Sequence, residues 1–135
     1  MATRRSRVEF EDDHGTTVRY DRHPNGGGLV SPGARVHDDA SIATTAYVES
    51  GARVGPRTRV GSGSWIDHDV TVGSDVTIGT TVHLQPGTRI GHRARVGSRA
   101  RLGAHVVVEP GASVAPDEIV PDRTVVGRHS VRTAA

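Results

Sequence analysis

Cysteine and lysine are absent, and Phe, Trp and Met occur once each in a chain that holds 17 Gly. Without thiols there can be no disulfide, no thiolate metal site and no cysteine nucleophile. Aromatics make up 3% and hydrophobic residues 34% of the 135 positions, too few large side chains for an ordinary layered core. Any core must therefore be built from small branched residues. No apolar run approaches the roughly 18 residues of a membrane span. The basic start Arg4-Arg5-Ser6-Arg7 leads into the acidic stretch from Glu9 to Asp13, not into an apolar signal segment. A soluble, cytoplasmic protein with no membrane partner is expected. Arginine is the only strong base, so a pI of 9.9 coexists with a net charge of only +2, and nucleic acid is not an expected partner.

What the sequence does contain is a period of six. From Val30 through Val36, Ile42 and Val48 to Val126, every sixth residue is Val, Ile or Leu, seventeen in succession. Four residues after each stands a second column that is small almost throughout: Ala34, Ala40, Ala46, Ala52, Thr58, Ser64, Val70 and onward, with Glu118 as the exception. The two columns lie two residues apart across the boundary between hexads, as in Val70 and Val72, so they share one side of a short extended segment. The residue between them points outward. A helix is excluded because six is not a multiple of its 3.6-residue period. Turn residues such as Ser31-Pro32-Gly33 and Gln85-Pro86-Gly87 fill the remaining positions, so short strands of three or four residues alternate with tight turns and must stack on one another as a solenoid.

At Val72-Gly73-Ser74-Asp75-Val76-Thr77 and Ile90-Gly91-His92-Arg93-Ala94-Arg95 the pattern resembles the hexapeptide-repeat family: an aliphatic residue, often Gly next, then a small residue. The resemblance implies an all-β fold, a left-handed parallel β-helix of triangular section with three hexads per coil, assembled as a homotrimer. Seventeen hexads then give five to six coils over residues 29–131, preceded by an N-terminal element at 1–28 and followed by a tail at 132–135. Val8 to Tyr20 alternates around Asp-His-Gly and reads as a β-hairpin that caps the prism or packs on a neighbouring subunit, with Phe10 as its anchor. Pro24-Asn25-Gly26-Gly27-Gly28 reads as a flexible joint. At Glu118 the cost of burying a carboxyl in the inner column predicts a local change of register.

Taking every third hexad gives the outward rows. Leu29, Tyr47, Trp65, His83, Arg101 and Ile119 fall on one face, which is expected to be covered as a subunit interface or to serve as a ligand-stacking surface. The other rows run Arg35, Arg53, Thr71, Arg89, Val107, Val125 and Ser41, Arg59, Thr77, Arg95, Ser113, Val131. Arg89, Arg93, Arg95, Arg99 and Arg101 girdle one coil, either as a solvated belt or, at Arg89, Arg93 and Arg95, as contacts for cofactor phosphates.

Enzymes of this family are chiefly acyl-CoA-dependent transferases that use a His as general base at a subunit boundary, a role needing an exposed imidazole and an orienting group. Trp65-Ile66-Asp67-His68 resembles the Asp-His pair of serine acetyltransferases, which implies His68 as base and Asp67 as its orienter, without the two extra residues those enzymes carry after the pair. His83 on the aromatic row is a second candidate base. Asp21-Arg22-His23-Pro24 matches a loop of the same enzymes, out of order. Ser113 to Gly127 resembles the closing coil along the acyl-CoA tunnel, with one extra residue. The expected activity is O- or N-acyl transfer from acetyl-CoA or another acyl-CoA to a small polar acceptor, with no metal. A non-catalytic trimeric scaffold or assembly subunit is the alternative. A third reading, a γ-carbonic anhydrase-like metal protein, follows from Ile90 to Val96, where His92 matches one zinc ligand, but the other two ligand positions fall on Gly97 and Pro56.

Overall fold

The computed structural model of the protein describes residues 7–11, 15, 17–128 and 132–134. Asp13 and His14 of the expected Asp-His-Gly turn and the outermost repeat positions Ser130 and Val131 lie outside them. The architecture is all-β, a parallel β-solenoid of about five turns. After the hairpin strands β1 (Arg7–Glu11) and β2 (Thr17–Arg22) come seventeen strands, from β3 (Leu29–Val30) to β19 (Thr124–Val126), one per hexad, and then β20 (Arg132–Ala134). All but the last of the seventeen have two residues, shorter than the sequence suggests, because each hexad devotes most of its length to turning.

From β3 to β16 each strand pairs in parallel with the one eighteen residues on, and the outward rows are the expected ones. Leu29 faces Tyr47, Tyr47 faces Trp65, Trp65 faces His83, His83 faces Arg101 and Arg101 faces Ile119. The second face aligns Arg35 with Arg53, Thr71 and Arg89, and the third aligns Ser41 with Arg59, Thr77 and Arg95. The inner columns form one continuous core from Val30 to Val126, with Ile42, Ile66, Leu84 and Leu102 wholly buried. Burying each large aliphatic side chain contributes about 1.5–3 kcal/mol, which lets a thin core stand without aromatics.

After the first coil the chain turns through a left-handed residue at each corner. From Gly51 to Arg123 every sixth residue has positive φ; four of these are Gly, and nine are not, among them Arg57 (φ 58°), Asp69 (φ 60°), Thr81 (φ 55°) and His105 (φ 55°). The coil-to-coil backbone hydrogen bonds over-determine these strained corners.

Three expectations are corrected. The hairpin extends the first face as its antiparallel edge, Asp21 opposite Val30, and its anchor is the buried Tyr20, whereas Phe10 remains 43% exposed and meets Tyr20 only edge-on. The glycine joint is a packed cap: Gly28 donates to Ile42 O, Ile42 donates to Asn25 O, and a Cβ on Gly28 would collide with the Ile42 side chain. At Glu118 the hexad register is unbroken, because the side chain folds back and its Oε1 accepts the Ala115 N–H at 3.0 Å instead of pointing inward.

Candidate functional site

On the first face the aromatic row and the corner that follows it carry one connected set of polar bonds. Trp65 and His83 occupy the outward positions of β9 (Trp65–Ile66) and β12 (His83–Leu84), one coil apart. That register stacks indole on imidazole, with centroids 4.4 Å apart and planes within 1° of parallel. Asp67, next in the chain after Ile66, turns back over the corner. Its Oδ1 accepts from both the backbone N–H and the Nδ1 of His68 at 2.8 Å, and its Oδ2 lies 3.2 Å from His83 Nε2.

One half-buried carboxylate thus holds two imidazoles. Burial alone would raise the Asp67 pKa, but the His68 backbone N–H, the His68 ring and His83 together outweigh it and hold the carboxyl below its ordinary value. An ionised carboxylate at His68 Nδ1 places the ring proton there and leaves Nε2 as a free lone pair on a side chain that is 56% exposed. The structure therefore brings Asp67, His68 and His83 together.

The network continues toward the N-terminus. Trp65 Nε1 donates to Glu49 Oε2 at 2.8 Å, and the Tyr20 hydroxyl donates to Glu49 Oε1 at 2.9 Å. Burial and the Glu49 carboxylate push the Tyr20 phenol well above its ordinary pKa, so it remains a donor. Tyr47 meets Tyr20 edge-on at 5.4 Å. Sequence reasoning missed both Glu49 and Tyr20. A signal for Glu49 was present: from 49 to 103 the position after each inner aliphatic residue is Gly, except for Glu49, Asp67 and Gln85, all three on the corner between the first and second faces.

The arginine girdle does not converge. Arg89 lies on the second face and Arg95 on the third, with Arg93 at the corner between them, beside Asp75. Arg99 is bound to Asp117 by two bonds of 2.8 and 3.1 Å. Among the described residues no carboxylate forms an ion pair with Arg89 or Arg95. The loop-like match at Asp21 to Pro24 is structural: Arg22 donates to Gly27 O, and the buried His23 ring lies 2.8 Å from Ala40 O. His92 Nδ1 bonds Ser74 at 2.9 Å, beside a shallow groove of about 730 Å³ on the second face, away from Asp67. No three His, Asp or Glu side chains among the described residues are grouped to hold a metal ion, and no helix there is long and apolar enough to cross a membrane.

The bacterial transferase hexapeptide family (six repeats) matches residues 57–92 and again 69–104. No curated protein matches the chain in sequence. A perosamine N-acetyltransferase from Caulobacter crescentus, solved with CoA and GDP-perosamine, superposes with a TM-score of 0.65 at 21% identity, over 78% of this chain and 53% of its own. The acetyltransferase domain of PglB from Neisseria gonorrhoeae, solved with acetyl coenzyme A, gives 0.56 at 24% identity, over 73% and 53%. The UDP-N-acetylglucosamine acyltransferase of Francisella novicida gives 0.66 at 19% identity, over 68% and 41%. The chain spans about half the length of these proteins or less, and at such identities the likeness is one of fold. The repeat is the hexapeptide repeat, and the fold is a left-handed parallel β-helix.

Proposed function

We propose that this hexapeptide-repeat β-helix is an acyl-CoA-dependent acyltransferase acting on a small polar acceptor, with His68 as general base and Asp67 as the group that orients it. The observation that carries the reading is the Asp67 carboxylate at His68 Nδ1, which fixes the tautomer and leaves an exposed basic Nε2. A bound acyl thioester supplies an activated acyl carbon. His68 takes the proton of the acceptor's hydroxyl or amine as the new C–O or C–N bond forms, and gives it to the departing sulfur as the C–S bond breaks. Asp67 stabilises the imidazolium in between. The exposed guanidinium groups of Arg89 and Arg95 suit phosphates of the CoA moiety, while Arg93, beside Asp75, is the less available of the three. Ile119, 75% exposed at the far end of the first face, supports a subunit boundary there, as a homotrimer requires.

The test is calorimetric titration with acetyl-CoA, joined to a transfer assay over hydroxyl and amine acceptors, on the wild type and His68→Ala. Binding is expected to survive in the variant, while transfer falls by about 10²–10⁴. Absence of heat at millimolar acetyl-CoA would overturn the transferase reading and leave the scaffold in front. Transfer that survives His68→Ala but fails in His83→Ala would move the base to His83, which shares the same carboxylate.

A further inference from the structure

The indole of Trp65 has two different neighbours. One face is stacked on His83, and toward the preceding coil it borders a cavity of about 390 Å³ lined by Tyr20, Thr45, Tyr47, Glu49, Gly63 and Trp65. Three of those six residues are aromatic, one is a carboxylic acid, and none is basic. Glu49 is buried, yet its three hydrogen-bond contacts come only from the neutral donors Tyr20 and Trp65, so no cation among these partners neutralises it. An aromatic-walled pocket with an uncompensated carboxylate repels phosphates and carboxylates and attracts an organic cation, by cation–π attraction to the ring faces and Coulomb attraction to the acid.

We propose that this pocket binds the ammonium group of a small organic amine. On the transferase reading, which this inference rests on, the amine belongs to the acceptor. The cavity and His83 flank the indole, and His83 shares the Asp67 carboxylate with His68, so the ammonium is a handle, and a different group of the same molecule reaches His68. The acceptor class is then a small molecule carrying both an ammonium group and a separate nucleophile.

Trp65 is the only tryptophan, so its emission reports the pocket without labelling and without catalysis. The probes are n-butylammonium, n-butanol and butyrate, matched in size and differing in charge, titrated at pH 7.5 and constant ionic strength. Butylammonium is expected to give a saturable change in the millimolar range, with butanol and butyrate at least tenfold weaker. Glu49→Gln, which removes the charge, and Tyr47→Leu, which keeps the charge and removes a wall, should each weaken the ammonium response at least tenfold, with thermal melts identifying which variants are folded. An equal response to the three probes, no saturable response to butylammonium, or an ammonium response unchanged in a folded variant would overturn the proposal. Acetyl-CoA binding separates the two readings: if it persists while the ammonium response is absent, only the handle is wrong, and if it is absent while the ammonium response persists, only the transferase is.

Discussion

Thr88 is wholly buried in the inner small column, and its hydroxyl joins two coils: it donates to Gly103 O at 2.8 Å and accepts the Val106 N–H at 3.3 Å. Thr58 and Ser64 do the same for Gly73 and Val76, and for Gly79 and Val82. At Ala columns the corresponding N–H instead bonds within its own turn, as Ala94 does to Gly91 O. Thr88→Val keeps the volume and removes the hydroxyl; with the turn held in its present geometry it strands the Val106 N–H and the Gly103 C=O, and the loss shrinks only if the turn tightens until these two bond each other as Ala94 and Gly91 do. Each buried unpaired group costs about 1–3 kcal/mol. The added methyl recovers about 0.8 kcal/mol, so the net loss should be about 1–5 kcal/mol, centred near 3. Thr88→Ser keeps both hydrogen bonds and deletes one methyl, for about 0.5–1.5 kcal/mol. In a domain of this size a loss of 3 kcal/mol lowers Tm by roughly 10 °C. Thermal and urea denaturation of the three proteins, at one protein concentration so that any association is held constant, reads the order directly. If the column were held only by packing, Val would match the wild type and Ser would be the weaker variant. A Thr88→Val protein as stable as Thr88→Ser would refute the reasoning.

Gly28→Ala should destabilise by about 1–3 kcal/mol, because its Cβ would drive into the Ile42 side chain beneath the N-terminal cap, and urea denaturation would show it. Thr81→Gly should stabilise by about 0.5–1 kcal/mol: relieving a β-branched residue at φ 55° returns about 1–2 kcal/mol, and the extra freedom of glycine in the unfolded chain takes back about 0.5–1. Asp67 has a depressed folded-state pKa, so its contribution to stability is fully present above the unfolded value near 3.8 and is lost as pH falls through the lower folded value. The stability gap between wild type and Asp67→Asn should therefore close as pH falls below about 4, and a gap at pH 3 as large as at pH 5 would contradict the assignment.

The solenoid was legible because its cause is repetitive: inward positions must be small or branched in every coil, so the period shows in a single sequence. The same logic gave the row that joins Tyr47, Trp65 and His83. What it could not give is contact made once. Tyr20 reaches Glu49 across 29 residues, in a hairpin outside the repeat, so no period announces it, and the single Phe looked the better anchor on bulk alone. The corners were obscured for another reason. Turn chemistry was sought in Gly, Pro, Asp and Ser, yet six corners place Arg, Thr or His at positive φ, held by the coils on either side and not by local preference. Glu118 misled because it was treated as an inward side chain, when its backbone keeps the register and its carboxylate turns back to the turn.

The Gly column explains why the site lies on one corner. A Cβ on Gly55 would sit 2.8 Å from Gly73 C, one on Gly73 2.9 Å from His92 N, and one on Gly79 2.7 Å from Ser98 N, so at those positions the coils approach too closely for any side chain. Between residues 49 and 97 only the corner between the first and second faces carries side chains at this position, Glu49, Asp67 and Gln85, and two of these three organise the hydrogen-bonded network. If the repeat itself does not need them, glycine should be tolerated there. Asp67→Gly should therefore fold, weaker by about 0.5–1 kcal/mol from glycine's entropy plus its lost hydrogen bonds. It should also leave His68 without its orienting carboxylate, so that transfer falls toward the His68→Ala level while acetyl-CoA binding is kept. Gln85→Gly, whose side chain forms none of the bonds in this network, is the control for the glycine effect alone. If Asp67→Gly unfolds while Gln85→Gly does not, the carboxylate is a structural tie between coils, and the case for a catalytic corner fails with it.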